Sequence, residues 1–514
     1  MRMTRKIRRA WLRGKPEWAK CYLLKQRLRK QNKVKSLEEH KNRLHGYSRY
    51  LVAGVILACL GMGQATQVYA SNITVKDNNY SGTVVSNGNV IDVYNQQVTN
   101  GNALNKFTNF ELSESDIANM HLDAHNGVAA ADRQINLVDN KVAIDGVLNA
   151  YKNGQIGGDI YFFSDKGIAI GSTGVVNVGS LALGTSVSAG QKIYDDFTSY
   201  NNKSSLEKAK YIAGEGDISI GGSINAADNI TIGAKSLTAS GDAKINSGID
   251  FSNVSTNKTS AQSMEDYRAQ FMNLGGANKD ALAVISKGDE IVLYGQSGVE
   301  FSSKDYVSIT GTSANNIKVA SNGGDVEVRA NASDNVNAEG SIENAQITSN
   351  GGDINVSLIN DVRDDVKIDI TNSKLDATSN VDTTLSDNAN GNVSISASTV
   401  AEVLSWAQYG NSATVNVTDD SVVKGDNVNV TAIASVSGKV DSDVENNATD
   451  KEFEDSLKKV LDEDSTIIDD VYNLSGYDIS ELRSFVTVTN TEAKSIVNIT
   501  DSDLEAVGGT KVVE

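Results

Sequence analysis

Few residues in this chain are suited to acid–base or metal chemistry. Of its four histidines, His40 and His45 lie in a basic front segment, leaving His121 and His125 at i, i+4 spacing. On a helix that spacing would set two imidazoles on one face, able to share a metal ion. The stretch Met120-His-Leu-Asp-Ala-His125 reads instead as strand or turn, and no glutamate follows His121 to serve as a base, so no metal site is expected. Both cysteines, Cys21 and Cys59, precede residue 71, which removes thiol nucleophiles from the rest of the chain. Five arginines follow residue 50 (Arg133, Arg268, Arg329, Arg363 and Arg483), without clustering. Acidic turns resemble calcium ligands, but the nonapeptide pattern of calcium-binding β-repeats is missing. Binding rather than catalysis is expected, with no cofactor.

Charge divides the chain sharply. Residues 1–50 hold 17 Lys/Arg against three acids, Glu17, Glu38 and Glu39, so the front is near +14 and the remainder near −32. An acidic body disfavours nucleic acid, whose phosphates need a basic face. After Arg49 comes an apolar run, Tyr50-Leu-Val-Ala-Gly-Val-Ile-Leu-Ala-Cys-Leu60, then Gly61-Met-Gly-Gln-Ala-Thr-Gln-Val-Tyr-Ala70. Val68 and Ala70 are the small −3 and −1 residues of a cleavage site, so residues 1–70 read as an extended Sec signal peptide cut between Ala70 and Ser71. The competing reading is a retained signal anchor. The apolar run is short against the ~20 residues a membrane span needs. The expected contact with a membrane is confined to export.

The single proline, Pro16, also lies in the leader. A chain without cysteine forms no disulfide loop to obstruct a narrow pore. Without proline it has no slow cis/trans step and can offer every N–H to a ladder. Both absences suit a polypeptide that crosses a membrane unfolded and folds quickly outside.

From Ser71 onward the pattern is short strands bounded by Gly, Asn and Asp, such as Ile73-Thr-Val75, Gly158-Asp-Ile-Tyr-Phe-Phe163 and Gly174-Val-Val-Asn-Val178. After Gly214 a unit recurs: Gly216-Asp-Ile-Ser-Ile220, Gly324-Asp-Val-Glu-Val328, Gly352-Asp-Ile-Asn-Val356, Gly391-Asn-Val-Ser-Ile395 and Gly425-Asp-Asn-Val-Asn-Val430. Ser-Asn-Gly-Gly-Asp stands at 321–325 and again at 349–353. One such unit cannot bury its apolar face, but stacked units can, so quasi-repeats predict a solenoid. The expected class is all-β, a right-handed parallel β-helix. Coils of ~22 residues would give about 15–20 rungs and a rod roughly 70–100 Å long. Residues 260–284 and 446–485 break the pattern and read as helical excursions. In the second, Phe453, Leu457 and Leu461 form an amphipathic stripe.

Three motifs carry a family resemblance. Gly101-Asn-Ala-Leu-Asn-Lys-Phe107-Thr-Asn-Phe110-Glu-Leu112 is similar to an early N-x-F-x-x-F signature, and Ile144-Asp-Gly146-Val-Leu-Asn-Ala150 to an I-x-G-x-x-x-A element. Ile160-Tyr-Phe-Phe-Ser-Asp-Lys-Gly167-Ile-Ala-Ile-Gly171-Ser-Thr-Gly-Val-Val-Asn177-Val-Gly-Ser180-Leu181 is similar to the NPNGI…VNxGxL block. In this order they resemble the two-partner secretion domain of filamentous-haemagglutinin-type proteins. Ser164-Asp-Lys-Gly167 departs from the commoner Asn-Pro-Asn-Gly, keeping the turn glycine without the proline. With Asn153-Gly-Gln-Ile-Gly-Gly158 upstream, this looks most like the branch of leukotoxin-family filamentous adhesins.

The resemblance implies an N-terminal secretion-domain cap over residues 71–250 and a repeat region over 251–514. It implies export through an outer-membrane β-barrel partner whose POTRA domains read the secretion domain. Asn105, Phe107, Phe110, Gly146, Gly167 and Asn177 are then candidates for partner recognition, or equally for a buried cap and coil corners. The implied function is a filamentous adhesin at the outer surface of a Gram-negative-type cell, binding host or bacterial surfaces. A secreted cytotoxin and a β-helical glycan-cleaving enzyme are the alternatives. Members of such a family are usually longer, so the chain to Glu514 is expected to be part of a larger protein.

Overall fold

The computed structural model describes residues 71–77, 83–255, 258–272, 274–276, 281–312, 316–332, 338–360, 366–378, 393–402, 411–426, 428–437, 493–507 and 510–513. The leader with Ala70, and the helix expected at 446–485, lie outside them. The fold is all-β with parallel sheets: among the described residues the strands gather into one sheet of 21 and one of 14.

The chain returns beside itself at a regular step. Ile317 lies next to Ala345, Val326 next to Ile354, and Ala338 next to Val366, all in parallel register. The side-chain pairs Asn322–Asn350 and Asn344–Asn372 keep the same 28-residue interval as the twin Ser-Asn-Gly-Gly-Asp segments. This step is longer than the ~22 residues expected for such repeats. Each pass here holds three strands, for example Ile317–Asn322, Val326–Ala332 and Ala338–Glu343. Insertions lengthen other passes, and Glu290 meets Asn229 61 residues back.

Alternation along each strand sets what is buried. Val326, Val328, Ala330 and Ala332 point into the core while Glu327 and Arg329 between them face outward. The inward side chains of these parallel strands join one apolar cluster running from Ile91 to Ala432. Each buried Val or Ile contributes about 1.5–3 kcal/mol relative to exposure, which a lone pass could not obtain.

The first pass is closed by antiparallel pieces. Asn72–Val75 pairs with Asn102–Leu112, Ile73 opposite Phe110. Val84–Asn87 pairs with Val90–Tyr94, and Gln97–Thr99 folds back on Asn102–Leu112.

Among the described residues, four helices leave the sheets. α1 (Val187–Asp195), α2 (Phe197–Asn201) and α3 (Ser205–Ile212) form one insertion that the strand pattern did not reveal. Ser186, Asp196 and Ser204 cap their N-termini, and Ser204 with Glu207 completes a capping box. They shelter Leu104, Ile135, Leu137 and Phe163 on the outside of the sheet. α4 (Met264–Met272) falls within the helix expected at 260–284, but that expectation is corrected at its end: Ala281–Ser286 is a strand. Its continuous apolar run pairs on both edges, with Lys244–Ser247 and Tyr306–Thr310, and that edge pairing prevails over helix propensity. No helix among the described residues is long and apolar enough to cross a membrane.

Candidate functional site

The six residues singled out from the sequence are all buried in the folded chain. Phe107 and Phe110 meet edge to face at 5.5 Å between ring centroids, and Phe110 meets Phe162 at 4.7 Å. Asn105 joins an internal polar network: its Oδ1 accepts from the Gln96 backbone N–H at 2.9 Å and its Nδ2 donates to Asn136 at 3.0 Å. Gly146 lies under the segment Ser113–Asp116, where a Cβ would come within 2.3 Å of the Asp116 carbonyl oxygen and 2.4 Å of that of Ser113. Gly167 turns with φ +91° against the Asp217 carbonyl. Phe107, Phe110 and Asn105 thus sit near one another at the capped start, while Gly146, Gly167 and Asn177 serve separate turns and strands.

Asn177 belongs to a feature the sequence reading missed. Asp92, Asn119, Asn149, Asn177, Asn225 and Asn246 stand side by side on six neighbouring strands. Each amide donates to the preceding residue: Asn119 to Asp92 at 3.1 Å, Asn149 to Asn119 at 3.5 Å, Asn177 to Asn149 at 2.9 Å, and Asn225 and Asn246 onward at 3.0 Å each. The donors point one way, and the Asp92 carboxylate ends the row as an acceptor. The Oδ1 of Asn246 ends the other side without a hydrogen-bond partner, with Gly275 packed close against it.

Helix α4 lies over this row. Asn149 gives its other hydrogen to the Tyr267 hydroxyl at 3.1 Å, and Asn225 gives one to the Phe271 carbonyl at 3.1 Å. Tyr267 and Phe271 also cover Ile117, Val147 and Val175. Burial pushes the Tyr267 hydroxyl well above the ordinary tyrosine range, so it stays neutral, while the bond from Asn149 opposes the shift. Each buried amide left unpaired would cost about 1–3 kcal/mol, so the ladder and its cover are interdependent.

Asp92 has a second role. Its Oδ1 lies 2.8 Å from His121 Nε2. The His121 ring stacks on Tyr94 at 4.7 Å and on Tyr151 at 5.6 Å, and His125 stacks on the other face of Tyr94 at 3.6 Å. The two histidines are therefore joined through one tyrosine ring. Burial, with the Asp92 charge adding to it, raises the Tyr94 hydroxyl. Among the described residues no group of three His, Cys, Asp or Glu converges as metal ligands.

A third constellation surrounds Ser71. Its hydroxyl donates to Asp116 Oδ2 at 2.5 Å and accepts from the Ser113 N–H at 2.9 Å. Ser113 Oγ donates to the same carboxylate oxygen at 2.8 Å. Nearby, Arg268 of α4 donates to the Glu114 carbonyl at 2.6 Å. Asp145 is raised by burial and then by Glu114, with Arg268 opposing.

The ladder had a sequence signature. Asn stands third in Ile117-Ala-Asn-Met, Val147-Leu-Asn-Ala, Val175-Val-Asn-Val, Ser223-Ile-Asn-Ala and Lys244-Ile-Asn-Ser. Its cover left no comparable local signal, because α4 is more than a hundred residues from Asn149. Comparison of the chain with models of protein families and with curated proteins gave no match.

Proposed function

We propose that this chain is an adhesin of a Gram-negative-type cell surface: a right-handed parallel β-helix that begins in a two-partner secretion domain and is exported through an outer-membrane barrel bearing POTRA domains. The observation that carries the reading is the closed start of the stack. Asn72–Val75 pairs antiparallel with Asn102–Leu112 ahead of a long parallel series, and the motif residues Phe107, Phe110, Gly146, Gly167 and Asn177 form that block's core, turns and ladder. Buried side chains are inaccessible to a partner once folded. A transporter that reads them must meet the chain while it is extended, as passage through a narrow barrel requires. Each pass can then fold on the one before it, burying apolar area as it arrives. The net acidic charge of the chain after residue 50 and its lack of cysteine after residue 70 favour a binding surface over a catalytic one.

The test is co-expression with a partner barrel. Deleting 101–184 is expected to trap the chain in the periplasm, and secretion unchanged by that deletion would sink the export reading. Purified 71–514 is expected to bind host cells or neighbouring bacteria without releasing their contents. Leukocyte lysis would point to a toxin, and release of unsaturated uronates to a glycan-cleaving enzyme.

A further inference from the structure

We propose that removal of the leader creates a docked cation: the new α-ammonium of Ser71 pairs with the Asp116 carboxylate and ties the first strand to the cap. The inference rests on the reading of residues 1–70 as a cleaved leader and adds a consequence to it. Hydrolysis by a leader peptidase adds water across the Ala70–Ser71 bond. Ala70 keeps the carboxylate, and Ser71 gains an amine that takes up a proton near neutral pH. A neutral amide thus becomes a positive charge at one defined place.

The structure places that atom among carboxylates. The Ser71 hydroxyl is already on Asp116 at 2.5 Å, and the α-nitrogen is only three bonds from that oxygen. In any staggered rotamer the nitrogen lies within about 4 Å of its own hydroxyl. It therefore falls near the ~4–6 Å range over which opposite charges favour each other's ionised form. Strand pairing holds it there: Asn72 lies opposite Glu111, donating to its carboxylate at 3.4 Å, and Ile73 opposite Phe110. Asp116 is the carboxylate in contact with Ser71 and Glu111 the one bonded to Asn72, while Glu114, next to Ser113 and Ser115, interacts with Arg268 of α4, as do Asp145 and Glu265. Arg268 is the one described cation in this set. An ammonium at Ser71 supplies a second, beside the carboxylate that three serine hydroxyls already orient. Because the Ser113 and Asp116 carbonyls rest directly on Gly146, fixing Asp116 also fixes the loop that closes the first pass.

The experiment uses the chain 71–514, which keeps every described residue, prepared with a free or an acetylated α-amine. Acetylation restores an uncharged amide without altering any side chain. The α-amine, followed by NMR after isotopic dimethylation, is expected to titrate at least about half a unit above the ordinary ~7.7–8.0 and to fall back in Asp116→Asn. Acetylation is expected to lower the Tm of the parent at pH 6.5 and to leave that of Asp116→Asn unchanged. An α-amine with the ordinary titration in the parent, or acetylation acting equally in both backgrounds, overturns the docking. If Asp116→Asn fails to fold, the parent's titration and its response to acetylation decide alone. Mass spectrometry of the exported protein tests the reading beneath: a mature chain starting elsewhere than Ser71 overturns the processing step, independently of the titration.

Discussion

The amide of Asn149 donates to the hydroxyl of Tyr267 at 3.1 Å, bonding a strand to a helix 118 residues later. Tyr267→Phe removes the hydroxyl that accepts from Asn149 and leaves that buried N–H unpaired. The expected loss is about 1–3 kcal/mol, read as a lower midpoint in urea unfolding. Tyr267→Ala removes the ring as well and is expected to cost roughly 3–5 kcal/mol.

Asn177 sits mid-row, giving to Asn149 and taking from Asn225. Asn177→Ala unpairs the Asn149 oxygen and one Asn225 hydrogen, and is expected to destabilise by about 2–4 kcal/mol. Asn177→Asp keeps the shape but places a carboxylate in a fully buried row facing the Asn149 oxygen. It is expected to be worse than Ala at pH 7 and to recover as the pH falls and the acid becomes neutral. Chemical denaturation of both variants at pH 4 and pH 7 checks the crossover.

Gly167 carries φ +91° with the Asp217 carbonyl 2.4 Å from where a Cβ would stand. Gly167→Ala therefore combines a left-handed residue, costing about 1–2 kcal/mol, with a backbone clash. Thermal unfolding is expected to shift downward by more than either effect alone would give.

Asp159 is mostly buried, and burial raises its carboxyl above the usual range although Arg133 and Ser180 pull the other way. A raised folded-state value means the charged form is disfavoured by folding. The penalty is absent below the unfolded carboxylate value near ~3.9 and grows as the pH rises through the folded one. Asp159→Asn is therefore expected to raise Tm relative to the parent at pH 7, with the difference vanishing near pH 3. A Tm gap that widens on acidification would contradict the assignment.

Much of this fold could be read from local pattern. Period-2 runs such as Val326-Glu-Val328 and Ile354-Asn-Val356 became parallel neighbours, and the twin Ser-Asn-Gly-Gly-Asp segments gave the interval between passes. The helical insertion at 187–212 carries Ser204 and Glu207 at capping-box spacing, but its helices are only 9, 5 and 8 residues long, too short for an apolar period to stand out. The helix expected at 260–284 overruns the start of the strand Ala281–Ser286 because a short apolar run has no period of its own, and its partners at 244–247 and 306–310 decide the matter. At the candidate site, Phe107, Phe110 and Gly167 were visible by type and motif. The asparagine row depends on register between six strands, and its cover on a helix far along the chain. Neither is a property of any one segment.

The helices also make remote parts of the chain depend on each other in opposite senses. α3 reaches forward: Ser205 donates to Glu290 at 2.8 Å and receives from Lys318 at 3.2 Å. α4 reaches back, with Arg268 on Glu114 and Tyr267 on Asn149. A simple stack pulled from its far end would unspool one pass at a time. Here a pull would meet Lys318 first, then the insertion it grips, then the clasp over the opening strands. Between Glu114 and Lys318 these ties form a buckle, and tension should find that stretch yielding as a block.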